Sequence, residues 1–443
     1  MRNINYFKIL GVITINILFL SLFGCADNKS SSLFQDDSSY FGTDVTQNEF
    51  SFKADILILK SKGDPTEKLL STEVKETMKY ALGYMHKEGS IYGGFRTKII
   101  NIQSQSPEYY KVTYSYSGRI LLANPVKEYS LLIPLLPRRL LEISKMKCHD
   151  LKEEVDEGNY WYAWNPYLKD CPFIANVHYT KIKIKFSPIK QETASYPEYK
   201  RLIVDGQLKA TIFFGANHQN KNWNPLDAKQ KDPGAISYQT NRKYLLNLGF
   251  TVRHVSKEEL SKAYKLKSKF LPFTEELTKI TPKGILRFRL HFLSTMLFET
   301  EALAFHHLFK AALKNESIIM YDGHSGIGRN LNLKNIELQT GQKILMNPNY
   351  QIIYLGSCMP YSYYVDMFFQ KKSSENDPNG TKNLDIMAYG KEALFGSPED
   401  IRLIAAIYNY MVVNRNTSYQ QILTDKPNYF FGVLGDEDNN LSK

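Results

Sequence analysis

Two stretches of the chain carry residue types suited to nucleophilic chemistry. One reads Ile318-Ile319-Met320-Tyr321-Asp322-Gly323-His324-Ser325-Gly326, the other Ile352-Ile353-Tyr354-Leu355-Gly356-Ser357-Cys358. Each is an apolar run of strand length that enters a glycine turn and delivers a base or a thiol just beyond it. If the two strands are parallel neighbours, their backbones lie about 4.8 Å apart, and His324 and Cys358 project into one crevice. The stretch from Asp322 to Tyr350 is long enough for the crossover that parallel neighbours need. An imidazole beside a thiol favours the thiolate or protonates a leaving amine, and turn amides can receive an oxyanion. Gly323-His324-Ser325 also evokes the nucleophile elbow of serine esterases. Ile327 stands where that turn needs glycine, and none of the nine histidines follows His324, so the serine reading falls.

The elements that must hold these residues come in two styles. From Glu49 to Pro188 apolar and polar residues alternate with period two, as at Ile182, Ile184 and Phe186 between Lys181, Lys183 and Lys185. Such alternation predicts half-buried strands: Phe50 to Leu59, Lys98 to Ile102, Tyr109 to Ala123, Tyr129 to Ile133 and Val177 to Phe186, with one helix at Glu73 to Tyr84. The expectation is a mostly antiparallel β-rich domain over 49–190, with a sandwich as one arrangement of it. After the polar stretch Gln191 to Tyr199, short apolar strands alternate with helices. Strands are expected at Lys209 to Gly215, Phe250 to Val255, Ser317 to Tyr321, Tyr350 to Leu355 and Leu384 to Tyr389. Helices are expected at Ser237 to Leu248, Gly284 to Lys314, Tyr361 to Gln370 and Pro398 to Val413. This rhythm predicts an α/β domain over 200–432, a mostly parallel sheet with helices on both faces, followed by a polar tail at 433–443. Sites of such sheets lie beyond the carboxyl ends of the strands.

In strand order and in its two motifs, the region from Lys209 to Val413 resembles the caspase-like cysteine peptidases, the group of legumains, clostripains, gingipains and metacaspases. Their pattern is an apolar block ending in His-Gly, then a second ending in a small residue and Cys. Here the matching residues are His324, followed by Ser325-Gly326, and Ser357-Cys358. The resemblance implies a caspase-like fold, Cys358 as nucleophile, His324 as general acid/base, and the amides of Gly326 and Cys358 as oxyanion donors. Ser325 occupies the place of the expected glycine. The first half of the chain is outside the resemblance.

Other constellations are weaker. His218 and Trp223 sit in a polar loop on the same strand-end face, as substrate-pocket candidates or as ordinary loop residues. Asp322 and Asp385 lie near strand ends and could select a basic side chain, although solvated or capping carboxylates are commoner. His306 and His307 are adjacent on a helix, about 100° apart, and make a poor chelating pair. No glycine-rich phosphate loop follows any strand. Neither a metal nor another cofactor is expected.

The four cysteines divide by position. Arg2 and Lys8 precede an apolar run from Ile9 to Leu22, and Leu22-Phe23-Gly24-Cys25 resembles the lipobox of bacterial lipoproteins. That resemblance implies a signal peptide over 1–24, a lipidated Cys25, and a flexible tether over 25–48 rich in Ser, Asp, Asn and Gln. The protein is then exported and held in the cell envelope by its lipid, in the periplasm or at an outer membrane. Export favours a disulfide between Cys148 and Cys171, near the aromatic run Tyr160 to Trp164, which reads as core packing or a carbohydrate platform. Cys358 is left over as filler or reactive group. The chain has 443 residues, and Lys and Arg exceed Asp and Glu by 11. No stripe of cations interleaved with aromatics points to nucleic acid. The partners expected are a polypeptide substrate and the membrane. A non-catalytic envelope scaffold on the same fold is the alternative.

Overall fold

A computed structural model describes residues 46–85, 89–122, 128–145, 147–149, 164–188, 195–216, 223–264, 271–295, 302–325, 330–391, 401–423 and 430–435. The expected signal peptide, Cys25 and nearly all of the tether lie outside these residues. Among the described residues no helix is long and apolar enough to cross a membrane.

The first sheet has five antiparallel strands: β1 (Thr46–Leu59), β2 (Gly89–Ser104), β3 (Tyr109–Leu122), β4 (Glu128–Pro134) and β5 (Tyr179–Pro188), in the order β2-β3-β1-β5-β4. Alternation sets its faces. Phe52, Ala54, Ile56 and Ile58 of β1 are buried while Ser51 and Lys53 are exposed. Helix α1 (Glu67–Met85) lays Leu70, Val74, Met78 and Ala81 on the buried face. Those spacings of three and four residues form one helix stripe. The expected sandwich is therefore a single sheet backed by a helix, because the other face carries lysines and serines that need water. Strand β1 also starts inside the expected tether, since Thr46, Gln47 and Asn48 already pair with Leu122, Leu121 and Ile120.

After the short helix α2 (Leu140–Ser144), Cys148 and Cys171 form the expected disulfide, their Cα atoms 4.8 Å apart. Trp164 is buried beside it, edge-on to Tyr80, Phe173 and Tyr179, with its indole N–H donating to the Tyr80 carbonyl. At this residue the aromatic run packs a core; Tyr160, Trp161 and Tyr162 lie outside the described residues.

The second sheet has eight strands. In chain order the elements are β6 (Gln207–Ala216), α3 (Pro233–Asn247), β7 (Thr251–Val255), α4 (Lys257–Tyr264), β8 (Phe273–Thr281), β9 (Gly284–Ser294), α5 (Ala302–Asn315), β10 (Ile318–Asp322), α6 (Leu333–Thr340), β11 (Gln351–Gly356), α7 (Pro360–Tyr363), α8 (Val365–Lys372), β12 (Leu384–Tyr389), α9 (Ile401–Tyr408), α10 (Tyr419–Leu423) and β13 (Phe431–Leu434). The order is β13-β12-β11-β10-β6-β9-β8-β7; β12, β11, β10, β6 and β9 are mutually parallel, while β13 pairs antiparallel with β12, β8 with β9, and β7 with β8. The sheet is thus mixed and mostly parallel, an α/β domain beside a β-rich one. Strand β13 crosses the expected boundary at 432.

One expected helix is overturned. Gly284 to Ser294 is strand β9, and only Ala302–Asn315 is helical. Leu286, Phe288, Leu290 and Phe292 are buried on one side of β9. Arg287 and Arg289 on the other side are held by Glu316 at 2.5 Å and Glu276 at 2.6 Å. Paired guanidinium groups let a central strand carry charge on a half-buried face, and that charge hides the period of two.

Candidate active site

The second sheet reverses direction of growth at β6. From β6 the chain builds β9 on one flank and then returns to build β10 on the other. The carboxyl ends of β6 and β10 therefore flank the topological switch point, where open α/β sheets bind ligands. The backbones crowd there. A Cβ on Gly215 would lie 2.8 Å from Gly323 Cα, and one on Gly234 would lie 2.1 Å from the Gly215 carbonyl oxygen. Only glycine allows α3 to begin so close to the end of β6. The start of α3 is set by Asp232, whose side chain accepts from Ala235 N at 3.1 Å, with Pro233 in the first turn.

Strands β10 and β11 are parallel neighbours, Asp322 opposite Gly356. His324 and Cys358 each stand two residues beyond that last pair, on adjacent strand ends. The turn after Cys358 is unusual. Met359 has φ of 50°, the left-handed region that side chains avoid, and its N–H donates to Lys391 O at 2.8 Å. Helix α7 starts at the next residue, so Cys358 sits on a sharp strand-to-helix turn.

A web of hydrogen bonds ties the two strand ends together. The Ser325 hydroxyl donates to Cys358 O at 2.7 Å, and the Tyr364 hydroxyl donates to Ser325 O. Asn330 Nδ2 donates to His324 O at 2.8 Å and also to Thr295 O beyond β9. The Tyr321 hydroxyl donates to His324 O. Burial raises the Tyr321 pKa well above its ordinary value and so keeps it a donor. Ser325, Asn330, Tyr321 and Tyr364 were not singled out by sequence reasoning except Ser325, as a departure from the family pattern. Nothing in their types or spacing marks them, since their role arises from the fold.

Solvent access is small: His324 is 2% exposed and Cys358 1%.

The remaining candidates separate. Asp322 is 7% exposed and accepts from Ser237 Oγ of α3 at 2.8 Å, so its carboxylate anchors a helix. Asp385 is opposite Ile352, at the starting end of the parallel strands and remote from His324 and Cys358. It is buried, accepting from the hydroxyls of Tyr350 and Tyr419; the sequence showed that it was near a strand end but not which end. Trp223 packs on Phe292 of β9, ring centroids 6.4 Å apart, at the edge of the core. His218 and Gly326 lie outside the described residues. His306 is buried, with its pKa lowered to about 4 by desolvation and then by the neighbouring His307. Among the described residues no group of three metal-ligating side chains converges.

Compared with known proteins, the chain matches no family model, no curated protein and no solved structure.

Proposed function

We propose that the chain is an exported, lipid-anchored cysteine endopeptidase of caspase-like fold, with Cys358 as nucleophile and His324 as general acid/base. The observation that carries this reading is the register of β10 and β11, which sets the two residues at equal heights on adjacent parallel strand ends. The switch point beside them is where such sheets bind ligands, and the left-handed turn at Met359 gives Cys358 a fixed, abrupt exit from its strand. In this reading the thiolate attacks a peptide carbonyl, His324 protonates the leaving amine, and water then hydrolyses the thioester.

A second reading, a non-catalytic envelope scaffold of the same fold, is favoured by one observation: Cys358 is buried. One experiment separates the two. The mature protein is incubated with peptides bearing basic, acidic or Asn residues before the scissile bond, and then with a thiol-reactive peptide probe. The peptidase reading requires cleavage and labelling at Cys358, both lost in Cys358→Ala. A folded protein that neither cleaves nor labels leaves the scaffold.

A further inference from the structure

The first sheet has one face packed on α1; the other is covered at its ends, where Leu121 and Leu132 are buried, and its central rows are exposed and strongly cationic. Paired residues share a face of a sheet, so the register assigns its members. Lys98 of β2, Ser115 of β3 and Lys53 of β1 form one row, Arg96, Ser117 and Ser51 the next, and Arg119, Glu49 and Ser187 a third. Lys185, Lys183 and Lys181 continue along β5 from Ser187 by steps of two, and Lys111 lies on the same side of β3. Lys53, Arg96, Lys98, Lys181, Lys183 and Lys185 are all exposed. Among the described residues of the sheet, Glu49, Asp55 and Glu128 alone oppose these eight cations on this face, and each is already taken. Asp55 pairs with Lys111 at 3.0 Å, Glu49 with Arg119 at 3.9 Å and Glu128 with Lys185 at 4.0 Å. The net excess is carried by the middle of the face, where small serines separate the lysines.

We propose that this face docks on the anionic phospholipid headgroups of the bilayer that anchors the protein. Charge complementarity supports that occupant. A protein partner would want apolar and aromatic residues at the centre of the patch, and a nucleic acid would want stacking rings among the cations; the central rows carry neither. Connectivity supports it too. The chain enters the sheet through β1, 21 residues after Cys25, and a flexible tether of that length spans roughly 25 Å. That exceeds the Debye length of about 8 Å. A lipid at Cys25 would hold the domain near the membrane without orienting it, whereas eight cations on one face orient it. The inference rests on the anchored part of the proposed function and is independent of the peptidase part.

The test uses the chain from Ala26 onward, which keeps every described residue and cannot be acylated. Flotation is measured with vesicles of phosphatidylcholine alone and with added phosphatidylglycerol, at low and high salt. Binding is expected only with phosphatidylglycerol, and should fall as salt rises. The combined Lys53→Gln, Lys98→Gln and Lys183→Gln variant should bind on the order of 100-fold more weakly. Replacing the exposed Lys229, Lys231 and Lys334 by Gln, away from this face, should leave binding nearly unchanged, and Cys358→Ala should not alter it at all. Unchanged melting of each variant confirms folding. Equal binding to neutral vesicles, or equal loss in both triple variants, overturns the proposal. So does retention on a soluble polyanion without vesicle binding, which would give the face another partner.

Discussion

The hydroxyl of Ser325 donates to the backbone carbonyl of Cys358 at 2.7 Å, so the residue after the candidate base holds the candidate nucleophile's own peptide. The serine that departs from the family pattern is thus part of the scaffold of the site. Both residues are buried, and a buried carbonyl left without its donor is costly. Ser325→Ala is expected to destabilise the protein by about 1–2 kcal/mol, read as a lower urea midpoint. An unchanged midpoint would show that the bridge carries no weight.

For the dyad, Cys358→Ala and His324→Ala should each cut peptide hydrolysis by on the order of 1000-fold or more, with melting temperatures close to that of the wild type. Residual activity in Cys358→Ala equal to wild type would remove Cys358 from the chemistry.

The crowded glycines give a sharper stability test. A methyl group on Gly234 would meet the Gly215 carbonyl at 2.1 Å, backbone against backbone. Gly234→Ala should therefore cost more than about 3 kcal/mol by overpacking, whereas Gly341→Ala, with open space around it but φ of 64°, should cost about 1 kcal/mol. Equal effects would mean that α3 yields easily at its start.

The pH dependence should carry the mark of His306. Its ring is buried, neither ring nitrogen has a hydrogen-bond partner among the described residues, and its pKa is lowered to about 4 from 6.5. Between those values the unfolded chain binds the extra proton and the folded one does not, so stability falls as pH drops from 6.5 toward 4. The loss amounts to roughly 3 kcal/mol. His306→Leu should flatten that part of the unfolding profile. A profile of unchanged slope in the variant would assign the proton uptake elsewhere.

The disulfide closes a loop with a separation of 23 residues. Removing it as Cys148→Ala with Cys171→Ala should lower stability by about 3 kcal/mol, measured by denaturant titration without reductant. A loss well below 1 kcal/mol would mean that the buried Trp164 cluster holds that region alone.

Much of this was legible in the sequence because period and punctuation agreed. Leu384–Tyr389 is the expected strand to the residue, and the alternation of β5 gave both its faces. Residues Ile318 to Asp322 and Gln351 to Gly356 announced themselves as short buried runs ending in glycine turns. The failures share one cause, that tertiary partners change what a residue can afford. Arg287 and Arg289 look like a solvated helix face until Glu316 and Glu276 are placed beside them. Asp385 looked like a mouth residue because a parallel strand does not declare its direction relative to neighbours distant in sequence. The start of α3 was legible but unread: Asp232 followed by Pro233 is a helix-start pattern, four residues ahead of the expected Ser237.

Tyr363, the last residue of the helix that follows the Cys358 turn, packs against the hydrophobic core under the first sheet as well as the second. Lys75 of α1 reaches Asp366 of α8 at 3.4 Å across the same junction. The amino-terminal half thus acts as a built-in mould for the Cys358 turn, and cutting the chain near residue 195 to isolate the α/β half would remove the wall against which that turn is cast.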